Sequence, residues 1–385
     1  MYILLGVKQI IYLDNSATTK PCKKAIDYMN KALTDNWGNP SSLHILGMNA
    51  EDTVNASRKT VAKMLGAKDS EIIFTSCGSE ANNMALMSVL TRKNRGNRII
   101  TTTIEHPSVL ETAKRLEGYG FEVIYLKPQQ NGVISLDALK AALNDKTLLV
   151  SIMLVNNEIG TIQPIEEAAR LTKQLSPFAY FHTDAVQAFG KMPINVTKLG
   201  VDMLTASGHK IYAPKGIGLL YKSPRCHIAP FITGGGQEGG MRSGTESVPL
   251  IASLQGAVED LPNLQLSLPK MREIYSYAKE LFSADGDIVI NSFDEGLPYI
   301  LNISVPGYRS ETLLHFLESR EIYVSSGSAC AKGNQSYVLK EIGLADKLID
   351  SMLRISFSHT TEKEDIDKLY EALKVAKGQL RKVLK

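Results

Sequence analysis

The sequence predicts an α/β fold, a mostly parallel sheet covered by helices, followed by a smaller α+β domain. Short apolar runs at 71–75, 98–102, 122–126, 148–153, 178–182 and 201–205 alternate with longer helical patterns, which is how successive βαβ units read. A polar stretch bracketed by Pro262 and Pro269 interrupts that alternation and marks a domain boundary. There is no repeat at a solenoid period and no low-complexity tract.

Taken in order, 1–12 holds a short apolar stretch with no charged region ahead of it and no small-residue cleavage site after it. Residues 9–13 read as a strand or entry segment. Between the strands, Ala81, Met84, Ala85, Ser88 and Val89 recur at helical spacing. Beyond the boundary come a helix from about residue 270, strand-like runs at 288–290 and 299–303, a helix over 310–320 and a run at 322–324. The last helix opens on a capping-box pattern, Thr361-x-x-Glu364, and presents Ile366, Leu369, Tyr370 and Leu373 as its apolar face. The expected division is a large domain over 13–262 and a small domain made of 1–12 and 263–385.

Composition bounds the function. The 385 residues are 44% hydrophobic and 22% charged, as in ordinary globular chains. No apolar run is long enough to span a bilayer. The net charge of +3, from 43 Lys and Arg against 40 Asp and Glu, is too balanced to predict nucleic-acid binding. Cys22, Cys77, Cys226 and Cys330 are too scattered for a disulfide framework or a Cys-x-x-Cys metal site. A reducing, cytoplasmic location and no stable metal site are therefore expected.

Two strand ends carry the first chemical signal. The run 201–205 ends just before Ser207-Gly-His-Lys210, and the run 178–182 leads into Asp184-Ala-Val-Gln187. A lysine and an acid at the carboxyl ends of sheet strands suit pyridoxal phosphate (PLP). The lysine carries the cofactor, and the carboxylate keeps its ring nitrogen protonated. Thr75-Ser-Cys-Gly78-Ser79 reads as a strand feeding a helix start, where free N–H groups and the positive helix end favour a phosphate; a plain turn capped by Ser79 is the competing reading.

Gly234 to Gly239 match GxGxxG literally, but no βαβ unit surrounds them. A polar loop donating to an anion fits better. His106, after the run 98–102, is placed to stack on a planar cofactor or move protons. Cys330 sits in a small-residue loop, about 325–335, where a thiol is accessible. Cys22, Cys77 and Cys226 have no such context. Arg354 lies inside an apolar segment and needs an anionic partner, either a substrate carboxylate or an internal acid.

With these residues in place the chain resembles a known family. Tyr12-Leu-Asp-Asn-Ser-Ala-Thr-Thr19, Gly38-Asn-Pro-Ser-Ser42, Glu105-His106, Asn156-Asn157-Glu-Ile-Gly160, Asp184-Ala-Val-Gln187, Ser207-Gly-His-Lys210, Met241-Arg-Ser-Gly-Thr245 and Ser325-Ser-Gly-Ser-Ala-Cys330 resemble, in order and spacing, the cysteine desulfurases of the NifS/IscS type. These are class V members of the PLP-dependent aminotransferase-fold enzymes. The resemblance implies a PLP-dependent transferase fold, aspartate aminotransferase-like, whose large domain holds a mostly parallel seven-stranded sheet.

It also implies a role for each residue. Lys210 carries PLP, Asp184 pairs with its ring nitrogen, and His106 stacks on the ring and shuttles protons. Asn157 and Gln187 contact the phenolic oxygen and neighbouring atoms. Gly78, Ser79, Ser207 and His209 hold the phosphate. Thr245 reaches the phosphate of the partner subunit in a homodimer. Arg354 binds the substrate carboxylate, together with Asn157. Cys330 is the nucleophile. L-cysteine then yields L-alanine and a Cys330 persulfide, whose sulfur passes to an acceptor protein, such as an iron–sulfur scaffold or a tRNA-thiolation enzyme.

The cradle departs from the family's frequent Gly-Ala-Thr by reading Cys77-Gly78-Ser79, which keeps a hydroxyl. The segment between Cys330 and Ser336 is shorter than in housekeeping iron–sulfur desulfurases. The C-terminal end lacks the acidic and aromatic tail that docks a scaffold in some relatives, which leaves the acceptor open. Another class V activity (aminotransferase, selenocysteine lyase or kynureninase-like hydrolase) and a non-catalytic sulfur carrier or scaffold are the alternatives. The loop cysteine argues against the first, and the intact Lys210, Asp184, His106 and Cys330 against the second.

Overall fold

The computed structural model describes residues 10–327 and 335–383. Its strands are β1 (Ile11–Tyr12), β2 (Ile72–Thr75), β3 (Arg98–Thr102), β4 (Glu122–Leu126), β5 (Thr147–Ser151), β6 (Tyr180–Asp184), β7 (Met203–Ser207), β8 (Gly218–Lys222), β9 (Val289–Ile290), β10 (Ile300–Ser304), β11 (Ile322–Tyr323) and β12 (Met352–Ser356). The chain divides into two compact units.

The larger unit comprises Thr19–Asn156 and Ile162–Leu264. Its seven-stranded sheet has the order β2-β8-β7-β6-β5-β3-β4. The pairs from β7 through β4 are parallel, while β8 runs antiparallel to both β2 and β7. The sheet is of the α/β class expected. Apolar residues of the strands and of the helix Gly78–Met87 build a core that includes Ile73, Met84, Val89, Ile99, Leu149 and Leu220.

β6 and β7 begin two residues later than the apolar runs suggest. Asp202 is the reason. Its Oδ2 accepts the Phe181 N–H (2.8 Å) and its own N–H donates to the Phe181 carbonyl (2.8 Å), so 201–202 is spent on a turn beside β6. The shift draws Asp184 and Ser207 into the last position of their strands. β8 is not legible as a strand in the sequence, because it opens on Gly216-Ile-Gly218, a turn signal. Gly218 is required there: a Cβ would lie 2.6 Å from the Cys77 carbonyl carbon.

The smaller unit comprises the described part of Met1–Thr18, Asn157–Thr161 and Gln265–Lys385. It holds the antiparallel sheet β12-β10-β9 and the parallel pair β1-β11. The division differs from 13–262 against the rest in where 13–18 and 157–161 fall. Hydrogen bonds account for it. The Ser356 N–H donates to Leu13 O, Arg354 Nη1 to Asn157 O, Ser292 Oγ to Ile159 O and the Leu297 N–H to Gly160 O.

Two expectations are corrected here. The division between the units falls between Pro262 and Pro269, at Leu264 and Gln265, but the helix expected from about residue 270 starts at Leu264 and contains Pro269, which leaves one rung of the backbone ladder unmade. The last helix, Lys363–Gln379, is capped by Glu362 and Asp365 rather than Thr361 and Glu364. The Thr361 hydroxyl is occupied, accepting the Ser358 N–H at 2.9 Å. The apolar face is as expected, with Ile366, Leu369 and Leu373 buried and the Tyr370 ring edge-on to Phe282. No helix among the described residues is long and apolar enough to cross a membrane.

Candidate active site

In the larger unit, β6 and β7 pair in parallel with Asp184 opposite Thr205. Asp184 and the residues after Ser207 therefore leave the same edge of the sheet, the carboxyl edge where ligands of α/β folds gather. Asp184 is buried. Its Oδ1 accepts the Val186 N–H (2.9 Å) and its Oδ2 accepts Asn82 Nδ2 (2.7 Å). After β7 a single 3₁₀ turn, Gly208–Lys210, carries His209 and Lys210, both half-buried. Burial, with Lys210, Lys215 and Lys191 nearby, pushes His209 down to about 4, so its imidazole is neutral at pH 7. Gln187 is buried, its Oε1 3.5 Å from Lys191 Nζ.

The helix Gly78–Met87 starts against this edge. Its N-cap, Cys77, is extended and makes no side-chain bond to the first turn. A Cβ on Gly78 would lie 2.9 Å from Val186 Cγ2 and 3.5 Å from Ser207 Cβ, so the helix start and Ser207 are close neighbours. Ser79 is exposed. The Ser207 Oγ is buried and, among the described residues, has no hydrogen-bond partner. Uncapped helix amides, a partnerless buried hydroxyl, and an acid and a lysine on adjoining strand ends fit the phosphate, ring nitrogen and aldehyde of PLP.

His106 caps the helix Pro107–Gly118: its Nδ1 accepts the Ser108 N–H (3.1 Å) and lies 2.8 Å from Ser108 Oγ. Burial holds its pKa below the usual imidazole value, Asp184 pulls it back up and Lys210 lowers it. Glu105 beside it is fully buried. Burial pushes its carboxyl up to about 8, although Oε1 accepts the Met153 N–H and the Thr102 hydroxyl.

Asn82 donates to Asp184 and, at 2.9 Å, to Ser108 Oγ. Neither Asn82 nor Ser108 was singled out from the sequence. One signal was available for Asn82: it is polar yet falls on the helical stripe with Ala85 and Val89.

Thr245 is exposed and follows Gly244, whose φ of +116° lies in the left-handed range. The glycine-rich loop ahead of it is held by two ion pairs, Arg58 with Glu238 and Arg242 with Glu80 (2.8 and 2.9 Å).

In the smaller unit, Arg354 on β12 is 2% exposed. Nη2 donates to Asp14 Oδ1 (3.0 Å) and Nη1 to the Asn157 carbonyl (3.1 Å). The arginine thus has an internal acid. Among the described residues Arg354 Nε and the buried Asn157 Oδ1 have no partner. Cys330 lies outside the described residues. Of the other cysteines, burial raises the Cys226 thiol to about 12 and raises Cys22 as well, which argues against either as a nucleophile. Among the described residues no group of His, Cys, Asp and Glu is arranged to hold a metal ion.

Comparison with known proteins agrees with this geometry. Residues 11–369 match the family described as "Aminotransferase class-V". A cysteine desulfurase of Nostoc sp. (strain PCC 7120) is 41% identical over 377 residues, covering 97% of this chain and 94% of that one. The solved structure of a NifS-like protein superposes with a TM-score of 0.92 at 36% identity, covering 97% of this chain and 100% of the other. A further structure, SspA in complex with cysteine, has a TM-score of 0.79 at 36% identity and covers 90% and 98% of the two chains.

Proposed function

This chain belongs to the aminotransferase class-V family and is a PLP-dependent cysteine desulfurase; from that premise we propose which residues do the work and on what. The substrate is L-cysteine, the products are L-alanine and a persulfide on Cys330, and the working form is a cytoplasmic homodimer. The observation that carries the reading is the parallel register of β6 and β7, which brings Asp184 and the Ser207–Lys210 turn to one sheet edge.

PLP, when bound, supplies an electron sink for negative charge developing at the substrate Cα. Lys210 holds it through Nζ, and Asp184 keeps its ring nitrogen protonated. The amides of Gly78 and Ser79, the Ser207 hydroxyl and His209 hold the phosphate, with Thr245 serving the partner's site. Gln187 and Asn157 serve the phenolic oxygen. His209 would donate a ring N–H to the phosphate.

His106 would stack on the bound ring, and its imidazole lies within electrostatic reach of Asp184 and Lys210. Arg354 binds the substrate carboxylate with donors beyond those given to Asp14 and Asn157. The Cys330 thiolate attacks the substrate sulfur. An S–S bond forms, the C–S bond breaks, and the carbon receives the bonding pair and a proton, so that one thiol and L-cysteine become one persulfide and L-alanine. The persulfide sulfur then passes to an acceptor protein of iron–sulfur assembly or tRNA thiolation.

The test measures alanine and sulfide release from L-cysteine with a thiol reductant. Wild type releases both. Cys330→Ala keeps the PLP absorbance and loses release, and Lys210→Ala loses the lysine-bound cofactor absorbance. Full turnover by Cys330→Ala would overturn the persulfide scheme. A PLP-loaded wild type that releases no alanine would point to a different class V reaction.

A further inference from the structure

We propose that Asn82 and Ser108 are positioning residues that fix His106 in one tautomer, with Nδ1 unprotonated and the ring proton on Nε2. The argument runs outward from Asp184. A carboxylate only accepts hydrogen bonds, so the Asn82 amide must turn its nitrogen toward Asp184 Oδ2, 2.7 Å away. That choice has a visible cost: Asn82 Oδ1 is left buried and, among the described residues, without a partner. The second amide hydrogen then points to Ser108 Oγ at 2.9 Å. With that oxygen accepting from Asn82 and the Ser108 backbone N–H holding Nδ1 as an acceptor, the hydroxyl hydrogen of Ser108 goes to His106 Nδ1 at 2.8 Å. The Ser108 backbone N–H, at 3.1 Å, donates to the same nitrogen.

Two donors converge on Nδ1, one of them backbone and unable to reverse. A proton on Nδ1 would face that N–H and would force the hydroxyl to turn. His106 is thereby held neutral, presenting Nε2–H as a hydrogen-bond donor and offering no free lone pair to take a proton. The charged groups acting on it are Asp184 and Lys210, and its chain neighbour Glu105 stays protonated at neutral pH. The inference deepens the proposed function by fixing which ring nitrogen of His106 donates a hydrogen bond, and it rests on that reading for its relevance to turnover. The tautomer itself is measurable without turnover.

The experiment is nitrogen NMR of the PLP-loaded protein labelled with ¹⁵N-histidine, the His106 signal being assigned by its loss in His106→Gln. The expected wild-type result is a bare Nδ1 and a protonated Nε2 between pH 6 and 9. In Ser108→Ala the loss of one hydrogen bond to the neutral ring moves the protonation midpoint of His106 up by about one pH unit. Asn82→Ala moves it in the same direction, and Ser108→Thr restores the wild-type midpoint.

A wild-type spectrum with the proton on Nδ1 overturns the proposal, whatever the variants do. So does a Ser108→Ala protein that retains its circular dichroism and titrates as wild type. Loss of alanine release with the expected tautomer in place would sink the proposed function and leave this inference standing.

Discussion

At Gly78 a single hydrogen atom leaves room between the helix start and Val186. A methyl in its place would meet Val186 Cγ2 at 2.9 Å, well inside ordinary carbon contact, and β-branched valine has little rotamer freedom to retreat. Overpacking of this kind costs about 1–3 kcal/mol. Here the strain falls where the helix start meets Ser207, so Gly78→Ala is expected to weaken PLP binding about tenfold or more. Titrating the apoprotein with PLP by absorbance checks this, and unchanged affinity would show that the helix start does not hold the phosphate. The positions of Gly78, Asp184, His106 and Lys210 at strand ends and turns were legible because an apolar run precedes each of them. Asn82 and Ser108 were not: their meaning comes from contacts with Asp184 and His106, and Asn82 and Asp184 are 102 positions apart. The Asp14 partner of Arg354 is hidden in the same way, 340 positions away. Sequence left Arg354 with two kinds of anion to choose from, and only the packing of β12 beside the chain entry supplies the internal one.

Elements were legible where their apolar pattern was undiluted, and misplaced where a side chain competed for the backbone. β3 and β4 begin and end where their apolar runs do, whereas Asp202 displaces β6 and β7, and the glycines of 216–218 disguise β8. β12 was hidden by Arg354, since a charge amid apolar residues reads first as a site and only then as a strand. The helix Tyr337–Glu341 illustrates how much can rest on one cap. Ser336 Oγ accepts the Leu339 N–H (3.1 Å) while its hydrogen goes to Glu158 Oε2 (2.5 Å). Glu158 is wholly buried, and burial raises its pKa. Ser336→Ala removes a cap worth about 1 kcal/mol and takes one partner from a buried carboxyl, about 1–3 kcal/mol more. A loss of about 2–4 kcal/mol is therefore expected in urea unfolding, with Ser336→Thr close to wild type. A Ser336→Ala midpoint indistinguishable from wild type would mean that the helix start and Glu158 are held by other contacts.

For the whole molecule, buried ionisable groups set a pH optimum of stability, and the sign follows from where each proton sits. His182 is fully buried between Ser151 and Thr205, and burial pushes it down to about 3. His209 is pushed down to about 4, and His106 is lowered too. Each is neutral in the fold but takes a proton in the unfolded chain below about pH 6.5, so stability is present above that pH and is lost as pH falls. Glu105 works the other way. Burial raises it to about 8, whereas the unfolded carboxyl ionises near 4.3. Its stabilising contribution is complete below about pH 4.3 and is lost as pH rises through 8. Between about 4.3 and 6.5 the Glu105 proton therefore offsets one of the imidazole protons, and above 6.5 it acts unopposed by them. Stability is expected to peak near pH 6.5 and to fall by about 1.4 kcal/mol per pH unit from there to pH 8. Glu105→Gln keeps the buried shape and removes the titration. Its urea-unfolding profile should lose one proton's worth of slope from about pH 6.5 to 8 and be steeper than wild type on the acid side, by one proton. A variant whose alkaline limb still falls like that of wild type would show that Glu105 is already ionised in the fold, and that the hydrogen bonds from Met153 and Thr102 outweigh its burial.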